Sequence, residues 1–127
     1  MIKKSLFISI IVLLLSTSVF AIPIGSKTGN TFYTNIVATI DGYDIESYNM
    51  NDYTYVVAED LRNYGFDVIW NEEKRSLYIT KIQGKEVVSK YISPVINDYN
   101  LGKPALSVYY TDIKAYINNE MVLSYNI

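Results

Sequence analysis

The sequence predicts an α+β fold, a small antiparallel β-sheet of hairpins packed on one short helix. Three observations lead there. A stretch of 19 residues, Phe32–Met50, recurs at Tyr109–Ile127 without a gap, and each copy reads as a tight hairpin. Between the copies, Val57–Tyr64 switches from strand to helical periodicity. Two further β-prone runs, Phe66–Trp70 and Ser76–Thr80, flank a polar turn.

The chain begins Met1-Ile2-Lys3-Lys4-Ser5, followed by the apolar run Leu6–Leu15 and the small-residue zone Ser16–Ala21. This is the layout of a secretory signal peptide over residues 1–21. The rival reading is a membrane anchor, but a spanning helix needs about 20 apolar residues, and Ser16 and Ser18 shorten this one. Cleavage after Ala21 removes Lys3 and Lys4 and leaves a small acidic domain. The expected location is therefore secreted, extracellular or at the cell surface. An exported chain without cysteine fits a bacterium with a simple envelope, of the Gram-positive kind.

Composition excludes several chemistries. Of 127 residues, 50% are hydrophobic, 14% aromatic and 19% charged, and neither cysteine nor histidine occurs. There is no thiol nucleophile, disulfide, Cys/His zinc site or imidazole base. A net charge of −2 gives no electrostatic case for nucleic acid. The six glycines are scattered and form no phosphate loop.

The repeat carries the architecture. Eight of its 19 positions are identical at an offset of 77 residues: Tyr33/Tyr110, Thr34/Thr111, Ile36/Ile113, Ala38/Ala115, Ile40/Ile117, Ser47/Ser124, Tyr48/Tyr125 and Asn49/Asn126. Ile36, Ala38 and Ile40 alternate with Val37 and Thr39, which predicts a half-buried strand. Asp41-Gly42 follows, a favoured pair for a type I′ turn, where both residues need positive φ. Asn118-Asn119 stands there in the second copy, and asparagine tolerates that region. Tyr43–Tyr48 is the return strand. Tyr53–Val56 is a short β-prone run. Val57, Leu61 and Tyr64 then share one helical face, Glu59 and Asp60 lie near its N-terminus, and Gly65 suits a left-handed C′ position. Residues 31–81 thus form one hairpin–helix–hairpin unit. Residues 82–104 read as a partly ordered connector, in which Val87, Val88, Tyr91 and Ile92 suit a single helical turn. Residues 105–127 form a partial second repeat, whose hairpin is expected to dock on the first unit. A free strand edge there would invite self-association.

The ordered set Ile40-Asp41-Gly42, Ser47-Tyr48-Asn49, Tyr55-Val56-Val57, Asp60-Leu61, Tyr64–Val68, Trp70-Asn71 and Leu77-Tyr78-Ile79 resembles a known family. That family is the stalk domain named after the N-terminal domain of copper amine oxidases. The resemblance covers one full repeat at 31–81 and the first half of a second at 109–127. It implies a small α+β domain, often in tandem, on secreted or surface-attached bacterial proteins, where it accompanies other modules and is not catalytic. Amine oxidase chemistry belongs to a different domain with histidine copper ligands, so nothing catalytic carries over. No cofactor and no metal are expected.

Thirteen tyrosines suggest a second function. Exposed rings can stack on sugars, and Tyr43, Tyr48, Tyr116 and Tyr125 are the chosen candidates, with Tyr33, Tyr53, Tyr109 and Tyr110 behind them. The plainer reading is that tyrosine suits a half-buried strand surface. Trp70 reads as a core anchor. Asp41, Asp44, Glu46, Asp52, Glu59 and Asp60 lack calcium-loop spacing, and as a glycosidase pair they would have no deep cleft, so they read as solvated faces. The expected function is a non-enzymatic stalk or interaction module. The alternative is a carbohydrate-binding module for cell-wall glycan. Expected partners are cell-wall polysaccharide or another envelope protein.

Overall fold

A computed structural model describes residues 22–127. The predicted signal peptide, residues 1–21, lies outside them. Among the described residues ten strands form in order: β1 Lys27–Phe32, β2 Ala38–Ile40, β3 Tyr43–Ile45, β4 Ser47–Met50, β5 Tyr53–Val56, β6 Phe66–Asn71, β7 Ser76–Lys81, β8 Pro104–Tyr109, β9 Lys114–Ile117 and β10 Glu120–Val122. They make two four-stranded sheets, ordered β5-β4-β1-β8 and β10-β9-β7-β6, and the separate ribbon β2-β3. All pairs are antiparallel except β7 and β9.

The expected α+β class is overturned. Among the described residues the fold is 45% strand and 6% helical, with no helix of seven residues or more. The segment read as an α-helix is a 3-10 helix, Ala58–Asn63. Its bonds close over three residues, from the Asp60 N–H to the Val57 carbonyl and from the Tyr64 N–H to the Leu61 carbonyl. The reason is local. Val57 precedes it in extended conformation with no side-chain cap, and so short a helix barely repays its nucleation. The tighter winding also matches the burial. Side chains three apart eclipse in a 3-10 helix, so Ala58, Leu61 and Tyr64 align on the core, with Leu61 and Tyr64 fully buried. The apolar period here is three, not 3.6.

Both predicted hairpins form with two-residue turns. Asp41 and Gly42 have φ of 51° and 81°, and Asn118 and Asn119 have 49° and 68°. A third such turn, Asn51-Asp52, joins β4 to β5. The predicted return strand Tyr43–Tyr48 is split at Glu46. Its first half pairs with β2, and its continuation as β4 pairs with β5 and β1 in another sheet.

The repeat is larger in space than in sequence. β1 and β8 are themselves 77 residues apart and pair antiparallel, Lys27 with Tyr109 and Phe32 with Pro104. Their surroundings exchange in reciprocal pairs. The Gly25 N–H donates to the Tyr110 carbonyl and the Gly102 N–H to the Tyr33 carbonyl, each at 2.9 Å. The Tyr33 N–H donates to the Lys103 carbonyl at 2.9 Å and the Tyr110 N–H to the Ser26 carbonyl at 3.0 Å. The Phe32–Asn49 pairing of the first copy returns as a bridge between Tyr109 and Asn126. These reciprocal contacts are the signature of an isologous interface. An approximate two-fold axis therefore passes between β1 and β8 and relates residues 23–50 to 100–127. The β1–β8 register shifts at two places. At one, the buried Thr31 hydroxyl accepts the Leu106 N–H at 3.0 Å, which satisfies a donor the ladder would leave open.

The main core comprises Ile45, Leu61, Tyr64, Val68, Leu77, Ile79 and Ala115. The β9–β10 hairpin docks on it, because β9 adds to β7 in parallel over four residue pairs. Residues 82–103 form no helical turn. They run as a strap with one bridge, Tyr64 to Val87, and Val88 and Ile92 point outward. The strap is held where Ser93 N–H meets the Asp44 carboxylate at 2.9 Å and where Ser89 meets the Tyr64 hydroxyl at 2.8 Å. That hydroxyl also donates to the Asp44 carbonyl. Gly65, at φ 84°, admits this strap closely, because a β-carbon there would lie 2.8 Å from the Lys85 carbonyl oxygen.

Candidate interaction groove

The two quasi-equivalent hairpins are finished differently. In the first, Ile45 is 1% exposed, covered by Leu61 and Tyr64. Its counterpart in the second, Val122, is 36% exposed. The neighbour pair diverges as well, since Glu46 corresponds to Leu123, which is 67% exposed. Met50 is buried and its counterpart Ile127 is not.

That open half borders a groove of about 680 Å³ between the two large sheets. One wall is the inner face of the β5-β4-β1-β8 sheet, with Thr31, Met50 and Val108. The other is the β7–β9 pair, with Leu77, Ile79, Ala115 and Ile117. Tyr53 and Tyr55 stand on one lip, and Val122, Leu123 and Tyr125 on the other. The rings of Tyr55 and Tyr125 meet edge to face, 5.9 Å between centroids. Burial, with the Tyr125 hydroxyl behind it, raises the Tyr55 pKa. The size falls within the range of ligand sites, and the lining is mostly apolar, as such sites are.

The mouth is acidic. Glu59 is the only charged side chain that lines the groove among the described residues. Tyr48, also in the lining, donates its hydroxyl to Glu46 at 2.8 Å. Burial and that carboxylate push the Tyr48 pKa up to about 12. The Asp60 pKa is raised by burial and by Glu46 and Glu59 nearby. Among the described residues, the ion pairs join Arg75 to Asp112, Lys81 to Asp41 and Lys85 to Asp67. None involves Glu46, Glu59 or Asp60. These three acids, read in sequence as solvated faces, lie close together without an ion-pair partner, and Glu59 brings their negative charge to the groove.

The four tyrosines chosen from sequence are not brought to one place. Tyr48 and Tyr125 both line the groove. Tyr43 follows the Asp41-Gly42 turn, half exposed. Tyr116 lies on the opposite face of its sheet, stacked on Tyr78 at 5.3 Å and 10°. It belongs to a row across four strands, Ile69, Tyr78, Tyr116 and Met121, set by the pairing register. Trp70 is 38% exposed and donates to Glu72 at 2.5 Å, at the margin of the sheet and outside the core cluster. The groove itself escaped sequence reading. One signal pointed to it: the change from Ile45-Glu46 to Val122-Leu123 just before the shared Ser-Tyr-Asn of the two copies.

Compared with protein-family models, curated proteins and solved structures, the chain finds no significant match.

Proposed function

We propose that this chain is a non-catalytic module of an exported protein, a spacer and contact unit of the stalk type that works through its sheet surfaces. The observation that carries this reading is the internal two-fold. Two copies of one motif meet through the antiparallel pair β1–β8 and its reciprocal flanking hydrogen bonds, while their hairpins lie outside that sheet, and the architecture is spent on joining the copies. Supporting it are the sequence features of a signal peptide and the lack of any histidine or cysteine. An envelope protein is the favoured partner. The carbohydrate alternative has less behind it, because Tyr43, Tyr116 and the pair Tyr48/Tyr125 occupy three separate surfaces, and one face of Tyr116 is covered by Tyr78.

The test is expression of the full chain in a Gram-positive host, followed by fractionation and N-terminal sequencing. The expected product is in the medium or the wall fraction and starts after Ala21. Retention in the cytosol with an intact N-terminus would sink the reading. Retention on purified peptidoglycan, lost in Tyr43→Ala or Tyr116→Ala, would replace it with the glycan alternative.

A further inference from the structure

We propose that the groove takes an extended segment of a partner protein, rich in alternating basic and apolar residues, which adds as a strand along residues 124–127. This rests on the reading of the chain as an interaction module and names the chemistry of what it contacts. Three observations converge on it. The first is an open edge. Asn126 spends both backbone groups on Tyr109, at 2.8 and 3.0 Å. Tyr125, whose backbone faces the other way by strand alternation, makes no backbone hydrogen bond among the described residues. Its counterpart Tyr48 is paired with Tyr55 of β5. The molecule therefore contains its own template: on the quasi-equivalent strand β4, that edge is occupied by an antiparallel strand over four residue pairs, from Ser47–Val56 to Met50–Tyr53.

The second observation is the apolar floor. An added strand points alternate side chains to one face, and the groove on that side is lined by Val122, Leu123, Ile117 and Val108. Alternate apolar residues in the partner would fill the space that Leu61 and Tyr64 fill beside Ile45. The third is charge complementarity. Glu59 stands on the rim of the groove, Asp60 follows it in the chain, Glu46 accepts the hydroxyl of the lining residue Tyr48, and no lysine or arginine among the described residues forms an ion pair with them. A lysine- or arginine-bearing strand meets that rim favourably, and an acidic one is repelled. Strand addition supplies affinity through the backbone and specificity through the alternate side chains.

The test uses the purified full chain and a fluorescein-labelled peptide that alternates lysine and valine, followed by fluorescence anisotropy. The comparator has glutamate in place of lysine. The basic peptide is expected to bind about tenfold more tightly than the acidic one, and less tightly as salt rises. Glu59→Lys is expected to reduce that preference several-fold, and Val122→Lys to abolish binding. Met121→Lys, on the outer face of the same hairpin, is expected to leave binding unchanged. Circular dichroism of each variant confirms that it is folded. Equal binding of the two peptides overturns the proposal, as does indifference to Val122→Lys in a folded protein. So does a dimer in sedimentation that the peptide cannot dissociate, which would give the groove to a second copy. Saturable uptake of an apolar dye that the peptide does not displace would give it to a small molecule instead. Export without peptide binding would remove the groove assignment and leave the module reading standing. Peptide binding by a chain that stays in the cytosol would do the reverse.

Discussion

The two hairpins belong to related stretches of sequence and end in different environments. β2–β3 closes over a core in which Ile45 is fully buried, while β9–β10 presents Val122 at the lip of a groove. Their turns match, their flanking hydrogen bonds match, and the alanine of each faces inward. What differs is the cover. Leu61, Tyr64 and the 84–93 strap pack over the first hairpin, and no equivalent lies on the second among the described residues. A motif of this kind thus needs its neighbours to determine whether an apolar face becomes core or surface. The hairpin supplies only the face.

The largest effect should come from truncating the closed hairpin. Ile45→Ala is expected to destabilise by about 2–5 kcal/mol in urea unfolding, as buried aliphatic truncations do. The matching Val122→Ala should change stability by less than about 1 kcal/mol, because Val122 already meets solvent. Equal losses at the two positions would erase the contrast.

Tyr64→Phe sharpens the account of the cover. It removes the hydroxyl that joins the Asp44 carbonyl and Ser89, and so unties strap from hairpin. A loss of about 1–3 kcal/mol is expected, since buried partners are left unpaired. Faster amide exchange over residues 85–93 should accompany it. If exchange there is unchanged, the strap is held by something other than this bond.

The turns offer a smaller effect of opposite sign in the two copies. Gly42→Ala places a β-carbon at φ 81° and should destabilise by about 1 kcal/mol. Asn119→Gly makes the second turn Asn-Gly and should stabilise by about 0.5 kcal/mol. Thermal melts of both variants would show it, and a destabilising Asn119→Gly would contradict the type I′ assignment.

The smallest effect concerns charge. Arg75 joins Asp112 at 2.7 Å and fastens the β6–β7 turn to the approach of β9. The guanidinium holds the Asp112 carboxyl below its ordinary value. A lowered carboxyl pKa stabilises the fold above the unfolded value, and that contribution is lost as pH falls through the folded one. Asp60 has the opposite sign: with its pKa raised by burial and by Glu46 and Glu59, its protonation favours the folded state as pH falls through the carboxylate range. Asp60→Asn should therefore raise the melting temperature slightly at neutral pH and lose that advantage in acid. Asp112→Asn should lower it slightly at neutral pH, and less at high salt. A melting temperature of Asp60→Asn that stays below the parent at neutral pH would show that its carboxylate has a favourable partner.

Much of the architecture was legible because it is local. Alternation along Ala38–Ile40 and a two-residue turn of Asp-Gly or Asn-Asn specify a hairpin through bonds between near neighbours, although the predicted strand starts two residues late, with Ile36 and Val37 both exposed. The repeat was legible by comparing the chain with itself, although its identities begin only at Tyr33 and the spatial equivalence reaches back to Pro23. There the shared feature is a hydrogen-bond pattern that almost any residue satisfies, as Ser26 and Lys103 do with the carbonyls of Pro23 and Asn100. The helix was misread for a related reason. Val57, Leu61 and Tyr64 satisfy a 3.6 period, but Ala58, Leu61 and Tyr64 satisfy a period of three equally well, and a segment of six residues is too short to separate them. Of the candidate site, the tyrosines were visible as a composition. Which of them share a groove was not.

By itself, the sequence determined the two ribbons, their turns, the repeat and the chemistries that no residue here can perform. Side-chain alternation and backbone φ preferences act over a few bonds and are written where they act. Tertiary structure alone decided that β1 pairs with β8, that β9 joins β7 in parallel, and that Glu46 and Asp60 come close to Glu59, which lines an apolar groove. Those outcomes join residues tens of positions apart, and they depend on which apolar faces remain uncovered once the local elements have formed.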